Sequence, residues 1–200
     1  MARCKDGAVR SRAADVRVIH EDRINLGKGS AFRIGLTYAT GDVVIAQDAD
    51  LELDPAEYAA LLAPILRGET NVVNGSRFLR PVRIPRLMRA RNLAITAVAN
   101  ALYGARLTDV LSAYKVFRRD AVDARQLRAT GFEIEAELCA TFLRACERIV
   151  EVPVSYRPRT AAQGKKIRWT DAIPIVATLV SARFAPPADG VRARPRARDA

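Results

Sequence analysis

Three acidic residues stand at alternate positions directly after a short apolar stretch: Asp48, Asp50 and Glu52. In an extended chain, residues two apart point to the same side, so the three carboxylates can converge on one hard cation. Carboxylate oxygens suit Mg²⁺ or Mn²⁺ better than they suit zinc. The alternative is that these residues form only the acidic start of a helix that begins at Pro55.

A glycine-containing loop carries Lys28 between Gly27 and Gly29. Glycines let backbone N–H groups approach an anion at a helix N-terminus, which indicates a phosphate-binding turn. The loop is not a Walker A motif, because a glycine follows Lys28 where Ser or Thr is required and Asp22 stands where the first glycine should be. The alternative is an ordinary turn between a strand and a helix, with Ser30 as the helix N-cap.

The elements that must position these residues alternate between short apolar strands and helices. This alternation predicts an α/β fold with a largely parallel sheet flanked by helices, in which ligands bind at the carboxyl ends of the strands. Strands are predicted over 16–20, 42–47, 71–74, 114–117 and 149–154. Helices are predicted over 30–39, 55–66, 86–103, 133–147 and 170–184.

Composition limits the classes of partner. The 200 residues are enough for one domain, and 33 Lys and Arg against 22 Asp and Glu give a net charge of +11, which favours an anionic partner. A basic nucleic-acid-binding protein is the alternative that the charge suggests. The sequence contains no recognisable nucleic-acid-binding motif, and its aromatic residues are not interleaved with the cations, so no nucleic-acid partner is expected.

The ends and the cysteines indicate how the chain is organised. Residues 1–184 are predicted to form the domain and residues 185–200 a disordered basic tail. Neither a signal peptide nor a transmembrane helix is predicted. Three widely spaced cysteines predict neither a disulfide framework nor a zinc site, which favours a reducing, cytoplasmic location.

Six ordered segments resemble the family 2 glycosyltransferases of GT-A fold. They are NLGKG, QDADLELDP, NGSRF, LTDVLSAYKVFRRD, GFEIEAEL, and EVPVSYRPRT followed by GKKI. The similarity covers about residues 15–184 and is greatest to the dolichol-phosphate mannosyltransferase-like branch, which acts on polyprenyl phosphates. Six motifs in order are far more specific than any one of them.

The resemblance implies roles for individual residues. Asp48 and Asp50 would bind Mg²⁺ or Mn²⁺, with Glu52 completing the coordination. The donor diphosphate and the acceptor phosphate would be surrounded by Lys28, Arg77, Arg91, Arg159 and Lys165 or Lys166. The candidate catalytic residues are Asp50, Arg77, Arg159 and Glu133.

The acidic segment near the acceptor also contains Glu135 and Glu137, and the resemblance does not decide which residue faces the site. On a helix, Glu133 and Glu137 share a face while Glu135 points away, so we expect Glu135 to be solvated.

The activity that the resemblance implies is transfer of a hexose, mannose or glucose, from a nucleotide-diphosphate sugar to a polyprenyl or dolichyl phosphate, with inversion. An acceptor of this kind places the enzyme at the cytoplasmic membrane face as a peripheral protein. A sugar hydroxyl is the alternative acceptor, and it would need a carboxylate base, whereas a phosphate is already anionic.

The chain also departs from the family pattern. It lacks the first strand and the base-binding turn, and it keeps at most residues 6–7 of the acidic segment that follows. We therefore expect an N-terminally truncated domain whose first strand unit is missing and whose nucleotide pocket is incomplete. An inactive fragment is the corresponding alternative.

Overall fold

A computed structural model describes residues 25–159 and 172–185 of the chain. In these residues the strands are β1 (Val43–Ala46), β2 (Val72–Ser76), β3 (Lys115–Arg118) and β4 (Ile149–Pro153). The α-helices are α1 (Lys28–Tyr38), α2 (Tyr58–Leu66), α3 (Arg86–Tyr103), α4 (Ile134–Arg144) and α5 (Ala172–Phe184). The strand predicted over 16–20, the tail from residue 186, and both Lys165 and Lys166 lie outside the described residues.

The strands form one sheet in the order β1-β3-β2-β4. β1, β2 and β4 run in the same direction, as predicted, but β3 lies antiparallel to both of its neighbours. The described sheet is therefore mixed rather than largely parallel. The reason is that the chain leaves β2 and enters β3 at the same end of the sheet, so α3 is not a crossover between parallel strands.

Local sequence explains where the helices begin and end. A 3₁₀ turn over Pro55–Glu57 precedes α2, and the Asp54 side chain caps it by accepting from the Ala56 N–H at 3.0 Å. The predicted bounds of α3 are confirmed, and Gly104, with φ 65°, ends this helix in the left-handed conformation. α4 is shorter than predicted because the chain turns at Cys146, where φ is 58°.

Both faces of the sheet are covered. Leu61 and Ile65 of α2 pack with Val73 and Val116 on one face. On the other face, α1 and α4 pack against Val72 and Phe117 through Leu36, Leu138 and Phe142. A third cluster joins α3, α4 and α5 through Ile95, Ala99, Ala140, Ile175 and Leu179. This three-layer arrangement confirms the predicted α/β fold.

One row of paired residues crosses the whole sheet, from the last residue of β1 to the middle residues of β2 and β4. Ala46 pairs with Lys115, Lys115 with Asn74, and Asn74 with Glu151. Neighbouring residues in such a row point to the same face of the sheet. Polar side chains from three strands thus meet immediately beside the segment that follows β1.

Candidate active site

A cavity of about 270 Å³ opens beyond the carboxyl end of β1, as predicted for a fold of this kind. Its polar lining consists of Lys28, Asp48, Asp50, Glu52, Arg77, Arg91, Asn92, Glu135, Tyr156 and Arg159. Its apolar lining consists of Leu53, Met88, Leu111, Ala113, Phe132 and Ile175. The cavity therefore brings together carboxylates and guanidinium groups that are up to 111 positions apart in the chain, from Asp48 to Arg159.

Lys28 lies between two carboxylates of the cavity wall. Its Nζ is 2.6 Å from Asp48 Oδ1, and it also contacts Glu135 Oε1. Burial lowers the pKa of Lys28, but the carboxylates of Glu135 and Asp48 outweigh that effect and raise the pKa above its ordinary value. The ammonium group is thus held charged between the acidic segment after β1 and the start of α4.

Asp50 and Glu52 are bound by the segment that follows β4. Arg159 Nη2 donates to Asp50 Oδ2 at 2.7 Å. Glu52 accepts from the Tyr156 hydroxyl at 2.9 Å and from the Arg159 backbone N–H at 2.9 Å. Between the two acidic residues, Leu51 adopts a φ of 63°, a conformation that non-glycine residues rarely take. The backbone therefore turns sharply here instead of continuing as a strand.

This turn changes the predicted metal set. Among residues 25–159 and 172–185, no three acidic, histidine or cysteine side chains surround a common point, so the convergence of Asp48, Asp50 and Glu52 is not found. The Glu52 carboxylate accepts from Tyr156 and Arg159, just as Asp48 accepts from Lys28 and Asp50 from Arg159, so a cation would displace protein donors at each of them. Asp48 and Asp50 do fit by the chemistry of their donor atoms, since both carboxylates line the cavity.

Arg77 forms a buried ion pair with Asp109. Its Nε and Nη2 donate to the two carboxylate oxygens at 2.7 and 2.8 Å, and its backbone N–H donates to Oδ2 at 3.1 Å. The guanidinium carbon lies 5.1 Å from the centre of the Tyr156 ring. Arg77 does line the cavity as predicted, but its guanidinium is fixed from behind by a carboxylate for which the sequence predicted no role.

Arg91 and Arg159 also line the cavity, from α3 and from the segment after β4. Of the basic residues close to Arg91, Arg86 and Arg89 are not part of the lining. Arg89 instead lies with its guanidinium carbon 5.8 Å from the Phe78 ring centre. Of the three arginines of α3, Arg91 is therefore the one that lines the cavity.

The acidic segment at α4 is arranged differently from the expectation. Glu133 is not in the cavity lining, and its carboxylate accepts from the N–H groups of Thr130 and Gly131, both at 2.9 Å. Glu137 accepts from the N–H groups of the two residues before Thr130. Glu135, which we expected to be solvated, is only 6% exposed and lines the cavity, so that expectation is wrong. The cause is tertiary, because Lys28 packs against the face of α4 that carries Glu135.

The glycine loop also serves a purpose other than the predicted one. The N–H groups of Gly29 and Ser30 both donate to the Thr130 carbonyl oxygen, at 2.9 and 3.3 Å, so a protein acceptor takes the place of a phosphate. A Cβ on Gly29 would lie 2.5 Å from the Ala129 carbonyl oxygen, and Gly27, not Ser30, is the N-cap of α1. The glycines allow two backbones to approach closely, and the N–H groups of Gly29 and Ser30 are paired within the protein, which favours the ordinary turn.

Two residues of the site were given no individual role from the sequence: Asp109 and Tyr156. Asp109 and Tyr156 occur inside two of the family-like segments, LTDV and SYRPRT. Their occurrence inside these segments is the sequence signal that could have identified them as site residues. Their partners, Arg77 and Glu52, are 32 and 104 positions away in the chain, so no local pattern connects them.

Comparison with known proteins identifies the family. The family model described as "Glycosyl transferase family 2" matches residues 7–125. The chain belongs to glycosyl transferase family 2. This family 2 chain is 30% identical over 151 residues to the dolichyl-phosphate hexose transferase of Haloferax volcanii, covering 74% of the chain and 64% of that relative. It is 26% identical over 167 residues to the undecaprenyl-phosphate mannosyltransferase of Micrococcus luteus, covering 78% and 68%.

Another curated relative is the low-salt glycan biosynthesis hexosyltransferase Agl6 of Haloferax volcanii, which is 31% identical over 66% of the chain. The chain spans only 33% of the length of that protein and 64% of the dolichyl-phosphate hexose transferase.

Solved structures confirm the GT-A fold. The glucosyl-3-phosphoglycerate synthase of Mycobacterium tuberculosis superposes with a TM-score of 0.58 and 26% identity, covering 80% of the family 2 chain and 56% of the synthase. A structure of the same synthase with Mn²⁺, UDP-glucose and phosphoglyceric acid gives a TM-score of 0.56 and 26% identity. Within the described residues, none of the family 2 chain's helices is long and apolar enough to cross a membrane.

Proposed function

We propose that this chain transfers a hexose from a nucleotide-diphosphate sugar to a polyprenyl phosphate, with inversion at the sugar carbon and with a divalent cation. The observation that carries the proposal is the cavity itself. It presents two neighbouring carboxylates, Asp48 and Asp50, beside three arginines, Arg77, Arg91 and Arg159. The similarity to a dolichyl-phosphate hexose transferase and to an undecaprenyl-phosphate mannosyltransferase supports the acceptor class.

The charge balance of the cavity supports a cation. Its lining carries four carboxylates and four basic side chains, so the wall has no net charge with which to attract a diphosphate. A divalent cation on Asp48 and Asp50 would compensate two carboxylates and leave the basic groups available to phosphate. The Mn²⁺ and UDP-glucose in the related synthase support this assignment, which leaves the choice between Mg²⁺ and Mn²⁺ open.

The cation and the basic side chains have separate roles in the proposed transfer. When bound, the cation supplies Lewis-acid stabilisation of the negative charge that forms on the departing diphosphate. Arg159 and Arg91 would contact phosphate oxygens, and Arg77, held by Asp109, would offer a fixed positive charge at the wall. The acceptor phosphate is anionic near neutral pH, so these residues need to place it behind the anomeric carbon rather than remove a proton from it.

A basic, apolar segment next to the cavity supports docking at a membrane surface. Residues 79–91 contain five arginines and no acidic residue. Leu79 and Leu87 are 45% and 58% exposed, and the segment reaches the cavity wall at Met88 and Arg91. Anionic lipid headgroups attract such segments, and an acceptor with a long lipid tail remains in the bilayer.

Vesicle binding tests this surface. The double variant Arg83→Glu/Arg86→Glu should lose sedimentation with anionic phosphatidylglycerol vesicles. The control Arg119→Glu/Arg125→Glu changes the same charge after β3, at the sheet end away from the cavity, and should retain most of the binding. Equal loss in both variants would mean that net charge, and not this segment, determines binding.

The donor site is tested by thermal unfolding with Mn²⁺, with UDP or GDP, and with both together. Saturation at about 100 times Kd adds about 2.7 kcal/mol, which raises Tm by roughly 5 to 10 °C in a domain of this size. The shift should require metal and nucleotide together and should disappear in Asp50→Asn. Asp54→Asn is the matched control, since Asn also caps helices and Asp54 lies outside the cavity lining. A cooperative transition that no ligand shifts would contradict the donor site.

A sugar hydroxyl is the second candidate acceptor, and one observation favours it. Glu135 is a buried carboxylate on the cavity wall, where a hydroxyl acceptor would need a base. The two acceptors are distinguished by supplying a radiolabelled nucleotide sugar with either a short-chain polyprenyl phosphate or a free sugar. Lipid-soluble label that Glu135→Gln leaves intact supports the phosphate acceptor, and label only in the free sugar overturns it.

A further inference from the structure

Outside the cavity lining, the Glu151 carboxylate accepts four hydrogen bonds from protein donors. Its oxygens accept from Thr108 N–H at 2.7 Å, Thr108 Oγ1 at 2.8 Å, Asp109 N–H at 3.2 Å and Asn74 Nδ2 at 3.0 Å. Three of these four donors belong to two consecutive residues of the segment before β3. The carboxylate on β4 therefore determines the path of a segment that belongs to a different part of the chain.

The same segment is held from its other end by Lys115. Its Nζ donates to the carbonyl oxygens of Val110 and Ser112, at 3.1 and 2.8 Å, and to Asn74 Oδ1 at 3.1 Å. Asn74 thus contacts Lys115 with its oxygen and Glu151 with its nitrogen. These three side chains come from three adjacent strands and occupy one register row of the sheet.

Asp109, whose carboxylate faces Arg77, belongs to the segment that Glu151 and Lys115 hold. Asp109 is fully buried, and Arg77 is 7% exposed. The Asp109 backbone is held on both sides of its Cα, since its N–H donates to Glu151 at 3.2 Å and its carbonyl oxygen accepts from Asn74 Nδ2, itself bound to Glu151, at 2.9 Å. Ser76, which directly precedes Arg77 in the chain, joins the same group, because its Oγ lies 2.6 Å from Thr108 Oγ1.

We propose that Glu151 is a positioning residue for Arg77. Through Thr108 and the backbone of Asp109 it fixes the Asp109 carboxylate, and that carboxylate fixes the guanidinium at the cavity wall. Glu151 does not line the cavity, so it acts on a ligand only through Arg77. Its effect on ligand affinity rests on the proposed donor site, whereas its effect on Arg77 can be measured without a ligand.

The experiment follows the Arg77 Nε–H signal in the full chain labelled with ¹⁵N-arginine, assigned by its disappearance in Arg77→Lys. In the wild type, this buried, hydrogen-bonded proton should exchange slowly with solvent. Glu151→Gln places an amide where four donors need an acceptor, and it should speed the exchange of the Arg77 proton by about tenfold or more.

Glu147→Gln is the matched control. Glu147 accepts from Asn71 Nδ2 at 3.0 Å, so it also joins a carboxylate to an asparagine near β2, but at the opposite end of that strand. This variant should leave the Arg77 signal unchanged. If Glu151→Gln fails to fold, Thr108→Val removes one of its donors and should change the signal in the same direction. An unchanged Arg77 signal in the folded Glu151 or Thr108 variant overturns the proposal.

A second measurement tests the route to the ligand. Affinity for UDP or GDP with Mn²⁺ should fall in Glu151→Gln, but the same substitution should cause no further loss in an Arg77→Ala background. If the losses of nucleotide affinity from Glu151→Gln and Arg77→Ala are additive, Glu151 does not act through Arg77. If the wild type binds neither nucleotide, the proposed donor site fails, and the Arg77 signal still decides the role of Glu151.

Discussion

Ion pairs at the cavity occupy two environments that differ in depth. In the first, which we call the rim pairs, Asp48 contacts Lys28 and Asp50 contacts Arg159, with side-chain exposed fractions between 18% and 39%. In the second, the buried pair, Arg77 contacts Asp109 with exposed fractions of 8% and 0%. Partly hydrated ion pairs contribute little to stability and exchange partners readily, whereas a buried charge that loses its partner is costly. A ligand can therefore displace the partners in the rim pairs, whereas the buried pair keeps the Arg77 guanidinium in a fixed position.

The largest difference should appear when each kind of pair loses its carboxylate. Asp109→Ala leaves a buried guanidinium without its carboxylate and should reduce the free energy of unfolding by about 3 to 5 kcal/mol. The control Asp123→Ala removes the partner of Arg125, whose side chain is 89% exposed, and should cost about 1 kcal/mol or less. Urea denaturation measures both. Similar losses in the free energy of unfolding of the two variants would contradict the expected difference between buried and exposed ion pairs.

A buried cation without a carboxylate in direct contact should give an intermediate effect. Lys115 is 2% exposed, and Lys115→Met keeps most of the side-chain volume but leaves three oxygen acceptors without their donor. We expect a loss of about 2 kcal/mol in the free energy of unfolding. Arg118→Met, at the other end of β3, should change it by about 0.5 kcal/mol or less. If Lys115→Met leaves the free energy of unfolding unchanged, apolar packing compensates for the lost hydrogen bonds.

Removing a rim carboxylate should affect stability less than removing Asp109 or Lys115. Asp50→Asn loses a contact with a half-exposed arginine and should change the free energy of unfolding by less than about 1 kcal/mol. Chemical denaturation without metal or nucleotide measures this change. A loss as large as that of Asp109→Ala would mean that Asp50 supports the fold and would weaken its assignment as a ligand-binding residue.

The smallest effect concerns a buried hydroxyl with no charge at neutral pH. Tyr114 is fully buried, and its hydroxyl has no hydrogen-bond partner in the described part of the chain. Tyr114→Phe should therefore change the free energy of unfolding at pH 7 by about 0.5 kcal/mol or less.

The sign of the pH dependence follows from the same burial. Burial, with smaller contributions from Tyr58, Glu57 and Asp54, raises the pKa of Tyr114 to about 12, above an ordinary value of about 10. Because the folded state favours the neutral phenol, Tyr114 leaves the free energy of unfolding independent of pH below about pH 10 and lowers it as the pH rises towards 12. Denaturation across this range should show a shallower decline in Tyr114→Phe than in the wild type. Tyr38→Phe, at a residue 46% exposed, should decline like the wild type.

The local sequence was a good guide to the elements and to part of the site. Apolar periodicity predicted α3 with its correct bounds, and the acidic segment after β1, singled out from its spacing, lines the cavity. The direction of β3 was not predictable in this way, since apolar periodicity is the same for parallel and antiparallel strands. Glu135 was misjudged for a related reason, because helical spacing identifies residues on one face but not the element that covers that face.

By itself, the sequence determined the family, the α/β class and the chemical types at the site, since these depend on ordered motifs and local periodicity. The tertiary structure alone decided that Glu52 binds Tyr156 and Arg159 and that Glu135 faces the cavity. It also decided that Glu151, Asn74 and Lys115 share one row of the sheet. The physical reason is that hydrogen bonds and ion pairs act over about 3 Å in space, and only strand register and helix packing bring distant residues that close.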